Sequence, residues 1–252
     1  MIDRSGLRRL VMPVVFVFFI ALIVRLPASA VLSWALPDNV ATRGISGTIW
    51  NGTIDVVNVN GVSIGPVSWR WRAGALASGR LGAVVETGLP GGYFDGYVSV
   101  GSDVIVLEDV RALANLESLT QRSSIGAASG TARVSATRLR IESLWPSDIE
   151  GEVRLTNLRY AATRNTALGG YRLRFDGTAS DDPAFPLSGV LESDGSAPFT
   201  VNGTLALGPE RTYSLNATVA AGADAPSDIT DALQFLPADA SGQRQLRFEG
   251  AL

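Results

Sequence analysis

The sequence predicts a mainly β protein: an N-terminal single transmembrane helix followed by a curved, twisted antiparallel β-sheet domain with two short helices. Three observations carry that prediction. One uncharged apolar run stands near the N-terminus, residues beyond it alternate apolar and polar in segment after segment, and short turn-forming connections join those segments.

The apolar run is Leu10 to Val24, with Arg4, Arg8 and Arg9 before it and Arg25 after it. Two readings stand on these residues. A run of this length with Ala28-Ser29-Ala30 behind it fits a cleaved secretory signal. Apolar character resumes past Arg25 through Leu26, Ala28, Ala30, Val31 and Leu32, and an interfacial Arg can snorkel to the headgroups, so a helix from Leu10 to about Ala30 fits an uncleaved anchor in the bilayer. Pro13 falls in its first turn, where a missing N–H costs little. In either reading the basic N-terminus stays in the cytoplasm and the bulk of the chain is exported.

After a connector near Pro37 to Asn39 the strands begin. Val67, Trp69 and Trp71 oppose Ser68, Arg70 and Arg72; Tyr171, Leu173 and Phe175 oppose Arg172, Arg174 and Asp176. Phe199, Val201, Leu205 and Leu207 form one face of the next run, Tyr213, Leu215, Ala217 and Val219 that of another, and Leu246, Phe248 and Leu252 that of the last. Asn60-Gly61, Gly101-Ser102-Asp103 and Asp194-Gly195 are tight-hairpin sequences between such runs, which favours a meander over parallel strands with crossover helices. The covered side of the sheet is expected to carry Trp69, Trp71, Leu173, Phe175, Phe199, Val201, Leu215, Leu246 and Phe248.

Helical spacing after the anchor occurs at Val110, Leu113, Leu116 and Leu119, and at Ile229, Ala232, Leu233 and Leu236, the second preceded by a cap at Ser227 and stopped by Pro237. The small, polar stretch 121–130 marks an internal boundary. The expected organisation is therefore 1–9 in the cytoplasm, 10–30 in the membrane and 31–252 as the exported β-rich domain.

Composition removes most chemistries. The chain has 252 residues and no Cys, His or Lys, so all 21 basic residues are Arg. Nucleophilic Ser-His, Cys-His and Ser-Lys systems, Schiff bases and nitrogen–sulfur zinc sites are excluded. Carboxylates remain, and Asp181-Asp182 and Asp224, Asp228 and Asp231 are the candidates for glycoside hydrolysis or an oxygen-ligated cation. They read more simply as a turn before Pro183 and as acidic residues near a helix start. The chain reads as no enzyme, with no catalytic, cofactor-binding or metal site assigned. A net charge of −3 gives no footprint for nucleic acid, and alternation puts the indoles of Trp69 and Trp71 opposite the guanidinia of Arg70 and Arg72 rather than interleaving them as a stacking platform.

Taken in order, these pieces resemble one family. They are the basic N-terminus and span, Leu26-Pro27-Ala28, Gly47-Thr48-Ile49-Trp50-Asn51-Gly52, Gly65-Pro66-Val67-Ser68-Trp69 with Leu76 and Gly79-Arg80-Leu81, then Gly151-Glu152-Val153-Arg154-Leu155 with Leu158, and the terminal Phe248-Glu249-Gly250-Ala251-Leu252. The family is type II secretion system protein N, with a distant AsmA-like resemblance. The resemblance implies an uncleaved anchor in the bacterial inner membrane, a periplasmic domain, other secretion-system components as partners and an accessory scaffold role in exporting folded proteins across the outer membrane. It transfers no catalytic residue. The AsmA-like side implies the alternative, a module that holds lipid in an apolar groove.

Overall fold

The computed structural model describes residues 18, 21–37, 39–59, 62–89, 91–120, 128–160, 166–180, 182–223, 225, 227–238 and 243–251. Within them the chain forms one antiparallel sheet of 14 strands. In chain order these are β1 (Val40–Gly47), β2 (Asn51–Val59), β3 (Val62–Ile64), β4 (Val67–Arg72), β5 (Leu81–Leu89), β6 (Gly92–Val100) and β7 (Val104–Asn115). They continue as β8 (Ala128–Glu142), β9 (Trp145–Tyr160), β10 (Thr166–Ala179), β11 (Leu187–Ser193), β12 (Phe199–Leu207), β13 (Thr212–Ala221) and β14 (Arg244–Ala251). Neighbours in sequence are neighbours in the sheet from β1 to β14, except that β3 and β4 both lie along β2. Three short α-helices, α1 (Ala28–Ala35), α2 (Leu116–Thr120) and α3 (Ser227–Leu233), and one 3-10 helix, Ala73–Ser78, accompany the sheet among the described residues.

The N-terminal expectation is corrected at one end. Residues 21–24 are helical, but Arg25 is a turn, Pro27 forms a bridge with Thr48, and Ala28 opens the separate helix α1. Pro27 holds φ −69 and ψ 137, has no N–H to continue a helix and restricts Leu26 before it. The β1–β2 hairpin grips this break: Trp50 Nε1 donates to the Ile23 carbonyl at 2.9 Å and the Ile49 N–H to that of Leu26 at 3.1 Å. Among the described residues no helix is long and apolar enough to cross a membrane, and residues 10–17, 19 and 20, most of the expected span, lie outside the described ones.

Three further expectations change. The run that follows Asn60-Gly61 and carries Val67, Trp69 and Trp71 is not one strand: it is broken at Gly65-Pro66, where β3 ends and β4 begins. Helical spacing at Val110 and Leu113 proves to be strand: both lie in β7, and only residues 116–120 are helical. Val110 shares the apolar face with Ala112, whereas Leu113, paired with Arg133, points to the opposite face, so their three-residue spacing marks no common face; the strand also carries a bulge at Asp109 (φ 52). Phe248 joins the apolar face as expected but is 56% exposed, because it stands on the last strand. Other expectations hold. Val59 pairs with Val62 around Asn60-Gly61, which themselves lie outside the described residues, and the Gly101 N–H closes its turn on Val104 O at 2.8 Å. Ser227 opens α3. Residues 121–127 are not described, and β7 and β8 on either side pair from Val104↔Glu142 to Asn115↔Thr131, so the sheet runs through the expected boundary.

Bulges and register shifts fall in the long strands β7 to β10, at Asp109, Asn157, Gly169 and Gly177 among others. Each bends its strand and adds twist, which is how a wide meander curls. Curling does not close it. The accessible surface is 16366 Å², whereas a compact monomer of this mass would show roughly 11,000 Å². No large side chain among the described residues is fully buried. The described residues form a single sheet layer, with most of the buried apolar side chains on one face and Ser99 and Val106 buried on the other.

Candidate functional site

The candidate carboxylates do not converge. Asp181 and Asp224 lie outside the described residues. Asp182 sits in the β10–β11 connection, where its Oδ1 accepts the Ala184 N–H at 2.9 Å, an ordinary Asx turn. Asp228 and Asp231 belong to α3, and Asp231 Oδ1 accepts from Gln234 Nε2 at 3.4 Å. Among the described residues no group of three or more acidic side chains is placed to hold a metal ion.

What the fold brings together instead is two surfaces. Antiparallel partners share a face, so the register can be followed from strand to strand. One transverse row reads Ile45, Ile54, Val67, Thr87, Phe94, Ala112, Val134, Val153, Leu173, Leu191, Gly203, Ala217 and Leu246. The next row on that face includes Gly52, Trp69 and Val85, and further on Gly151, Phe175, Gly189, Leu205, Leu215 and Phe248. Glycine sits beside Trp69 and Phe175 for a steric reason: a Cβ on Gly52 would lie 2.5 Å from Trp69, and one on Gly189 would lie 2.8 Å from Phe175. The indole of Trp69 is satisfied by Ile49 O at 2.9 Å, and Trp71 meets Trp50 edge to face at 5.7 Å.

The opposite face is mostly polar, although Val84, Tyr97 and the buried Val106 also lie on it. Its matching row runs Ser46, Thr53, Ser68, Glu86, Asp95, Arg111, Ser135, Glu152, Arg174, Val190, Thr204, Asn216 and Arg247. Glu152 is central, 2.7 Å from Arg154 Nη2 and 3.6 Å from Arg172 Nε, and Arg174 pairs with Asp176 at 2.9 Å. These pairs are solvated, so they set charge pattern more than stability. At the sheet's end, Asp194 accepts the Ser196 N–H at 2.9 Å and its hydroxyl at 2.5 Å, which holds the Asp194 carboxyl below its usual range. Burial, then the Asp194 charge, raises the Tyr171 phenol.

Several clefts interrupt the surfaces, and two of them lie around the long central strands. One of 380 Å³ lies over the Asp109 bulge among Arg111, Glu150, Glu152, Arg174 and Asp176. Another, of 590 Å³, lies where the β8–β9 tip meets the β12–β13 turn, between Trp145, Pro146, Pro186, Leu187, Leu207 and Pro209. The first mixes Arg with carboxylates and the second is dominated by apolar and proline side chains, so neither assembles an acid–base pair in a dry pocket.

A model of the family "Type II secretion system (T2SS), protein N" matches residues 38–247, from the approach to β1 to within β14. The chain belongs to the type II secretion system protein N family. It is also 25% identical over 256 residues to the type II secretion system protein N of Vibrio cholerae serotype O1, covering 94% of this chain and 95% of that relative. No solved structure matches. Family membership supports a role as a component of the secretion system, with other components as partners. The sheet scaffold that carries the match is the one the glycine and aliphatic motifs outlined; the two-faced rows are read from the register.

Proposed function

We propose that this protein is an accessory inner-membrane component of the type II secretion system. The apolar N-terminal segment holds it in the bilayer with residues 1–9 in the cytoplasm. The sheet stands in the periplasm as a scaffold supporting export of folded proteins across the outer membrane. The family match over residues 38–247 carries the reading. The fold agrees with it: a wide layer with separate apolar and polar faces suits binding and spacing, and its carboxylates are spent on turns and solvated ion pairs. The grip of Trp50 on Ile23 ties the sheet directly to the end of the N-terminal helical residues, as a scaffold of fixed height needs.

Deleting the gene in its own host and measuring export of type II substrates, together with a membrane pull-down on the tagged wild-type protein, tests the role. Loss of export on deletion and recovery of other components with the tagged protein are expected; normal export after deletion with no component recovered by the tagged protein refutes it. Complementation with Asp182→Ala and Asp231→Ala should restore export in full. A second reading, an apolar face that holds lipid, is favoured by the large accessible surface alone. Phospholipid retained in native mass spectra after detergent exchange, with export unaffected by the deletion, would put that reading first.

A further inference from the structure

The two edges of the sheet are built differently. On β1 the backbone turns through positive φ at Gly44 (72°) and Gly47 (85°), and Pro27 bridges Thr48 just beyond the strand. Such an edge is twisted and obstructed against further pairing. On β14 the outer side is reached, among the described residues, only at its start: Ala238 bridges Arg244, and the Gln245 N–H donates to Pro237 O at 2.9 Å. That bond also shows which groups face outward. Backbone N–H and C=O alternate between the two sides of a strand, so if Gln245 faces away from β13, Arg247 and Glu249 do as well. Between them stands Phe248, more than half exposed on the apolar face.

We propose that two copies of this chain pair through β14, antiparallel about a twofold axis at Phe248. This goes beyond the secretion role and stands apart from it. In that register Arg247 of each copy exchanges both backbone hydrogen bonds with Glu249 of the other, and their side chains meet on the polar face. Phe248 meets its own copy on the apolar face at a pair without backbone bonds, where side chains approach most closely. Leu246 falls opposite Gly250, where it meets the outer end of the Tyr213 ring that lies over that glycine. Shifting the axis to 247 sets Arg against Arg, and shifting it to 249 sets Glu against Glu. Pro237 at Gln245 ends the ladder after residues 246–250, the window that centres on Phe248. The Arg247–Glu249 contact inside one strand is loose, 3.6 Å with both side chains mostly exposed, so exchanging it across the axis costs little. One open edge per chain gives a closed dimer rather than a filament.

The test uses the full chain in detergent micelles, followed by light scattering and sedimentation. Wild type should dimerise. Arg247→Glu and Glu249→Arg each place like charges at both symmetric positions and should raise the dissociation constant about tenfold, while the double variant restores complementarity and the wild-type value. Because the chain has no Cys, F248C is a clean probe. A non-bonded antiparallel pair has Cα atoms about 4.5 Å apart, within disulfide reach, so F248C should cross-link on mild oxidation and Q245C, behind Pro237, should not. A monomeric wild type, a double variant as weak as the single ones, or equal cross-linking at 245 and 248 would overturn the proposal. Circular dichroism confirms that each variant retains the sheet.

Discussion

Phe175 and Phe248 share one transverse row on one face of one sheet, yet Phe175 is 7% exposed and Phe248 56%. No second sheet covers either. Phe175 lies with Gly151 and Gly189 as its partners on the two sides, and the bare glycine backbone lets the ring settle onto its neighbour. Phe248 has Leu215 on one side and no described strand on the other. In a single-layer sheet, then, burial comes from neighbours along the row, and it ends where the rows end.

The largest effect should come from putting the same charge at both places. Phe175→Asp leaves an unpaired carboxylate in the middle of the apolar face, a cost of several kcal/mol, on the order of a domain's whole stability. It should fail to accumulate as folded protein. Phe248→Asp should remain folded with a change of no more than about 1 kcal/mol in urea titration. If both unfold alike, a covering element buries β14 and the contrast is false.

That contrast was half legible in the sequence. Period-two alternation placed Trp69, Trp71, Leu173, Phe175, Leu215, Leu246 and Phe248 on one face, and the register confirms it. Alternation is the same on a central and a terminal strand, so it could not say that Phe248 would stand open. The Asp109 bulge left no mark in the residue pattern, and the three-residue spacing of Val110 and Leu113 suggested a helix although the two stand on opposite faces of β7. Pro27 did announce a break, but the apolar residues on both sides of it suggested continuity. No residue chemistry marked a site, since the self-complementary Arg247-Phe248-Glu249 acquires meaning only once β14 is known to be an edge.

A smaller effect separates glycines in the same two regions. A Cβ at Gly189 would lie 2.8 Å from Cε1 and Cζ of the buried Phe175 ring, which has nowhere to move. Gly189→Ala should cost about 1–3 kcal/mol, as overpacking does. At Gly250 on β14 the nearest atoms are Oη and Cζ of Tyr213, the outer end of a ring that can swing away. Gly250→Ala should cost less than about 1 kcal/mol, and equal losses at the two sites would show the edge to be as tightly packed as the middle.

The smallest effect lies between these regions, at the β11–β12 turn. Asp194 accepts both the N–H and the hydroxyl of Ser196, and these hydrogen bonds favour its ionised form in the folded chain. A carboxyl whose folded pKa lies below its unfolded value binds fewer protons when folded. Its contribution is therefore full above the unfolded value, about 4, and is lost as pH falls through the folded one. Tyr171 bears the opposite sign: its phenol is raised by burial and by the Asp194 charge, so its contribution is full below about 10 and is lost as pH climbs past the folded value. Asp194→Asn keeps an acceptor for Ser196 but removes the charge. It should lower stability slightly at pH 7, by about 0.5 kcal/mol given how solvated the turn is, with the difference from wild type closing as pH drops below about 4. In spectrophotometric titration it should also bring the Tyr171 phenol back toward its ordinary range. A difference that stays constant through the acid range would mean that the turn depends on the shape of the side chain and not on its charge.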